Sequence, residues 1–138
     1  MTAIPIDANA LIAAADRNDP GNHAVLAVLR DRRYEFVVPA LCVAEATYIL
    51  HKRLGIAAEI AFLAGMGAFD VIAPEPEDWP RIAELVRQYA DFPIGGTDAS
   101  VVVLAERLNS DTVLTLDRRH FGAIRPLHCE AFRLLPEL

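Results

Sequence analysis

Asp7, Glu45, Asp98 and Asp117 lie far apart in the chain, and each interrupts or directly follows an apolar stretch. A carboxylate is seldom set against a hydrophobic core without a partner, because desolvating an unpaired charge is costly. If the four met in one crevice they would need a shared cation, since two unit charges ~4 Å apart repel by about 4 kcal/mol at an effective dielectric of about 20. Oxygen ligands without histidine or cysteine at ligand spacing favour Mg2+ or Mn2+ over zinc. Metal-assisted hydrolysis or phosphoryl transfer is the chemistry open to such a set.

Several polar residues stand beside these acids. Asn9, Thr97, Ser100 and Thr115 have groups able to orient a water, and Arg118 and Arg119 directly follow Asp117, where they can hold substrate phosphates. Each also has a structural reading. Asp7 and Asp117 are good helix N-caps, and Thr97 is a better cap than Asp98, which would then meet the helix dipole in the first turn. Capping or β-propensity accounts for the hydroxyls, and solvation accounts for the arginines. Glu45 is harder to explain structurally: Leu41, Tyr48 and Ile49 share its helical face, and Val43, Ala44 and Ala46 flank it.

The elements that must carry these residues alternate between short β-rich runs and longer helical patterns, the signature of a parallel sheet flanked by helices. Strands are expected over 3–6, 35–38, 71–73, 112–116 and 132–135, with Pro5 weakening the first. Helices are expected over 9–15, 22–32, 40–54, 57–66, 77–89 and 98–108, with a short turn over 118–121. Asp19-Pro20-Gly21, Gly55, Pro74, Pro76 and Gly95-Gly96 punctuate them. Asp7 and Asp117 then end strands, while Glu45 and Asp98 lie early in helices. Crossover helices begin at the carboxyl edge of a parallel sheet, so all four acids are expected at one edge.

Composition sets the outer limits. The 138 residues fit a single domain over 1–138, and a hydrophobic fraction of 54% implies a substantial core. Pro39 and Glu45 break the apolar stretch around Val37 to Leu50, which excludes a membrane span there, and the N-terminus lacks the basic and apolar regions of an export signal. A cytoplasmic location is expected. Cys42 and Cys129 form no CxxC motif and read as small buried apolar residues; His23, His51, His120 and His128 show no ligand spacing and read as structural or surface groups. The net charge of -6 argues against broad coating of nucleic acid, yet allows an enzyme that grips a few phosphates through a metal and local arginines. Lys52 is the only lysine and no GxxxxGK occurs, so a P-loop is excluded.

Four segments, in order and spacing, resemble the PIN-domain nucleases, most closely the VapC-type toxins of toxin–antitoxin pairs. They are Ile4 to Ile12, Pro39 to Glu45, Gly96 to Ser100 and Thr115 to Phe121. The resemblance implies a three-layer α/β/α domain with a mainly parallel central sheet, in which Asp7, Glu45, Asp98 and Asp117 bind Mg2+ or Mn2+ and direct water-driven cleavage of single-stranded or loop RNA. It also implies a homodimer and a cognate antitoxin whose C-terminal segment blocks the crevice. Some PIN domains carry a further acid two positions after the last one; Arg119 stands there in this chain.

Two other functions fit parts of the pattern. An aspartyl-phosphate phosphatase for small molecules also places an Asp after its first strand and binds Mg2+, but usually has a second Asp where Asn9 stands. A non-catalytic PIN-like module that binds RNA or protein would not need all four acids.

Overall fold

The computed structural model describes residues 2–137. The strands are β1 (Ile4–Pro5), β2 (Phe36–Pro39), β3 (Asp70–Ile72), β4 (Thr112–Leu114) and β5 (Arg133–Leu135). The helices are α1 (Ala8–Ala15), α2 (Asn22–Leu29), α3 (Ala40–Leu54), α4 (Ile56–Gly65), α5 (Asp78–Gln88), α6 (Gly96–Leu108) and α7 (Arg118–Ala123), with a 3-10 turn at Met66–Ala68.

All strand pairings are parallel. β2 lies between β1 and β3, and β4 pairs with β5. A bridge between Ile6 and Leu114 joins the two sheets, giving the spatial order β3-β2-β1-β4-β5. Right-handed crossovers along that order put α1 to α4 on one face and α5 and α6 on the other. The result is the expected three-layer α/β/α arrangement, and it reverses direction between β1 and β4. Ligands of open α/β sheets bind at such a reversal, outside the carboxyl ends of the strands.

Burial explains the long apolar runs. α6 is buried continuously from Ala99 to Ala105, packed between α5 and the β1 and β2 strands, whereas α5 buries only Ile82 and Leu85 and leaves its charged face to solvent. The core continues through Leu11, Val38, Leu50, Leu114, Phe121 and Ile124. Among the described residues no helix is long and apolar enough to cross a membrane.

Local chemistry sets the boundaries that depart from expectation. Pro5 is kept within β1 although it cannot donate to a ladder. Ile4 and Ile6 donate to Glu35 and Val37 on one side and Asp7 donates to Leu114 on the other, so by the two-residue period the missing donor would have met Thr112. The Ser110 hydroxyl donates to that Thr112 carbonyl at 3.0 Å instead. β4 stops at Leu114 rather than 116 because the Leu116 N–H donates to Asn9 Oδ1 at 2.9 Å. α2 ends at Leu29 rather than 32, where Asp31 turns to accept from the Arg33 backbone and guanidinium. Cys42 is buried as expected, but Cys129 is only half-buried, with its thiol near the Ala131 carbonyl.

Candidate functional site

Asp7 follows Ile6 at the carboxyl end of β1, where it is the N-cap of α1 and only 2% exposed. One carboxylate oxygen accepts from the Ala8 N–H at 2.8 Å and the other from the Thr115 hydroxyl at 2.8 Å. These bonds favour the charged form, yet burial outweighs them: burial first, then the charges of Asp98 and Glu45, push the Asp7 carboxyl up to about 7. A cap alone does not need such a setting.

Thr115 lies one residue past β4 and ties the two strand ends together. It donates to Asp7, and its oxygen accepts from the Asp117 N–H at 3.0 Å and the Asn9 amide at 3.3 Å. Asn9 is thus spent on bracing the β4 exit. Replacing Thr115 with Val should therefore destabilise the protein by about 1 to 3 kcal/mol, because a buried acceptor and a backbone donor lose their partner. Chemical denaturation measures this, with Thr115→Ser restoring the loss; a neutral Thr115→Val would show that the hydroxyl does not hold the two strand ends.

The four acids form a linked series with Asp98 at its centre. Asp98 raises the pKa of Asp7 and of Glu45, and Asp117 raises that of Asp98. Asp98 is half-buried in the first turn of α6, where burial raises its pKa and an accepted bond from the Gly95 N–H at 3.2 Å opposes the rise. The cap of α6 is Gly95, not Thr97 as the side-chain preference suggested; two glycines let the helix start earlier and leave Asp98 to cap from within. Thr97 then sits in the first turn and offers its carbonyl to the Ser100 hydroxyl at 2.6 Å. Ser100 is buried, and its hydroxyl is turned to its own helix.

Glu45 departs from its expected setting. The residue is open to solvent and Tyr48 beside it is 64% exposed, although Ile49 on the same helical face packs against the core. Even so, partial desolvation, then Asp98, raises its carboxyl pKa. It stands at the rim of the acids rather than beneath them. Cys42, one turn earlier on α3, is fully buried, and burial together with Asp7, Glu45 and Asp98 pushes its thiol well up, so it stays neutral and offers no thiolate ligand.

Asp117 caps α7 through the His120 N–H at 2.9 Å, and its second oxygen lies 2.8 Å from His120 Nδ1. His120 was expected to be structural or at the surface; it is instead the nearest side-chain partner of a site acid. Its i+3 spacing from the N-cap was the one available signal. The His120 ring lies 4.8 Å from that of Phe92, and the Arg119 guanidinium sits 4.9 Å over Phe92. Arg118 donates to the Pro136 carbonyl at 2.9 Å and braces the chain beyond β5. As they stand, Asp7, Asp98 and Asp117 are turned to these local donors, and among the described residues no three His, Cys, Asp or Glu side chains converge as a formed metal site. The donor set is nonetheless all oxygen, and a buried carboxyl with its pKa near neutrality is a group that a hard cation would return to its charged form.

The family model of the PIN domain matches residues 4–125, a span that contains all four acids. The chain belongs to the PIN-domain family. This PIN domain is closely related to the VapC-type toxins: it is 38% identical over 133 residues to ribonuclease VapC26 of Mycobacterium tuberculosis, covering 95% of this chain and 98% of that protein. Among solved structures it resembles VapC20 of Mycobacterium tuberculosis, described as a sarcin-ricin loop cleaving toxin. The TM-score is 0.81 at 13% identity, over 88% of this chain and 95% of that one. It also resembles the DNA-bound VapBC of Salmonella typhimurium, with a TM-score of 0.68 at 18% identity over 97% of each chain. At those identities the structural likeness establishes the shared fold.

Proposed function

We propose that this chain is one PIN-like nuclease domain acting as a metal-dependent endoribonuclease, the toxin of a toxin–antitoxin pair. The observation that carries this reading is Asp7: a buried carboxyl at the sheet reversal, kept short of full ionisation near neutral pH by burial and by Asp98 and Glu45. The relative that it matches at 38% identity over 133 residues is a ribonuclease by name, which supports RNA as the substrate.

Asp7, Asp98 and Glu45 would hold Mg2+ or Mn2+, with Asp117 joining if it leaves His120. When bound, the ion would supply Lewis acidity toward a water and the phosphate oxygens. Asp7 fixes the inner end of the site, because both its oxygens are positioned by Ala8 and Thr115. Thr115 and Asn9 hold the β4 exit so that Asp117 stays at the same edge. Glu45, at the rim, is the acid free to reach an incoming water or phosphate. Attack by water on phosphorus with the 3'-oxygen leaving, and taking up a proton, would give 5'-phosphate and 3'-hydroxyl ends. A homodimer and a cognate antitoxin complete the proposal. The latter is supported by structural neighbours solved as VapBC complexes and as FitAcB.

The decisive experiment is cleavage of RNA with Mg2+ or Mn2+, with EDTA, and with Asp98→Asn. Cleavage is expected with either metal and is expected to vanish with EDTA or the variant. Persistence in EDTA would reject the metal mechanism. Metal binding without cleavage of any RNA would favour the binding module, and turnover confined to small phosphorylated molecules would favour the phosphatase. For the last, Asn9 is already committed to the Leu116 and Thr115 contacts, so the place of a second catalytic Asp is taken by a structural amide.

A further inference from the structure

A protein with a net charge of -6 and a cluster of acids at its site repels a polyanion at long range, so any nucleic acid must be gripped by local cations. The cationic side chains near the acids differ sharply in what they are doing. Arg118 is spent on the Pro136 carbonyl, and the more distant Arg53, Arg81, Arg107 and Arg133 are paired with carboxylates. Arg119 is exposed, has no hydrogen bond or ion pair among the described residues, and rests over the ring of Phe92.

That resting place is built into the site. Phe92 lies in the loop between α5 and α6, where its N–H donates to the Tyr89 carbonyl at 3.0 Å. Its ring packs on His120, and His120 is bonded to Asp117 through Nδ1. Arg119, Phe92, His120 and Asp117 are therefore one connected series ending at an acid of the site. An arginine over an aromatic face uses its π surface for that contact, which leaves the N–H groups in its plane free for a bidentate bond to phosphate.

We propose that Arg119, held over Phe92, is a phosphate clamp that grips single-stranded RNA beside the acid cluster, with Phe92 as its positioning residue. The inference rests on the nuclease reading and adds to it the side chain that holds the substrate backbone. It also gives meaning to the position at which some PIN domains carry an acid. A cation there offsets the acids' repulsion of the strand at the point where the strand enters. A single-stranded backbone suits the clamp because it can bend its phosphate toward one fixed guanidinium.

The test measures binding of a fluorescently labelled single-stranded RNA oligonucleotide by anisotropy, in Mg2+ and across a KCl series, with Asp7→Asn as the non-cleaving parent. Arg119→Ala is expected to weaken binding about tenfold and to lower the slope of log K against log salt by roughly 0.7, the value for one lost phosphate contact on a single strand. Phe92→Leu is expected to weaken binding several-fold, and adding it to Arg119→Ala should cost almost nothing more, since it acts through the arginine. Arg133→Ala, at the opposite end of the strands from the acids and paired with Glu137, should leave both affinity and slope at the parent values. An Arg119→Ala variant with the parent's affinity and slope overturns the clamp while leaving the nuclease reading intact. A parent that binds no RNA, together with a native chain that cleaves none, removes both. Because Arg119 is at the surface, its variant remains informative even if Phe92→Leu folds poorly.

Discussion

Asp7→Asn is expected to lower RNA cleavage by at least on the order of 10²-fold while making the metal-free protein more stable at neutral and alkaline pH. The first half follows because loss of a partner that merely orients a ligand costs about 10- to 100-fold, and Asp7 is proposed as a ligand itself. The second half follows from burial. With its carboxyl moved from 3.8 to about 7, Asp7 binds a proton more tightly in the folded chain than in the unfolded one. Its ionisation therefore opposes folding. The penalty is absent below pH ~4, grows as pH rises through about 7, and levels off above that at about 4 kcal/mol.

Asparagine keeps an acceptor for the Ala8 N–H and carries no charge; its amide takes the place of the acceptor for the Thr115 hydroxyl, which then turns to Asn9 Oδ1, 3.4 Å away. Denaturant titrations of the two proteins in EDTA should thus give a stability difference near zero at pH 4 that widens in favour of Asp7→Asn by pH 8. Comparing the two isolates Asp7 from Glu106, whose paired carboxyl is held below its ordinary value and so titrates with the opposite sense. Adding Mg2+ at pH 8 should narrow the gap, because a cation stabilises the ionised parent more than the neutral variant. A gap of constant size across the pH range would mean that Asp7 is not the buried acid described.

Phe121→Ala is expected to cost about 3 to 5 kcal/mol, a large share of the 5 to 15 kcal/mol typical of a domain. Phe121 is fully buried in the six-residue α7 and packs beside Phe132, with ring centroids 6.4 Å apart. So short a helix is not stable by itself and is held by this anchor. The midpoint of thermal unfolding should fall by roughly 10 to 20 °C. Since Asp117 caps α7 and His120 lies within it, cleavage should fall even at temperatures where the variant remains folded. A loss below about 1 kcal/mol would show that α7 is held by its cap rather than by Phe121.

The order and type of the elements were legible in the sequence, because helices and strands are written in periodicity and in neighbours a few residues apart. α3 appears over the expected residues, Ala40–Leu54, since an apolar strand end, Pro39 and Gly55 mark its limits locally. The acids' place at strand exits and helix starts was legible for the same reason.

What only the tertiary structure decided are the contacts between residues far apart in the chain. No local pattern states that the hydroxyl of Thr115 will reach Asp7, 108 positions away, or that Phe92 will meet both Arg119 and His120. Strand order places β1 beside β4, and that adjacency turns an ordinary N-cap into a buried carboxyl with a displaced pKa. Glu45 shows the converse: its neighbours in sequence are apolar, yet it and Tyr48 are exposed while Ile49, on the same helical face, packs against the core. Side-chain type and spacing could nominate the acids; their burial, their mutual repulsion and the cation beside them arise from non-local packing, which a linear pattern does not contain.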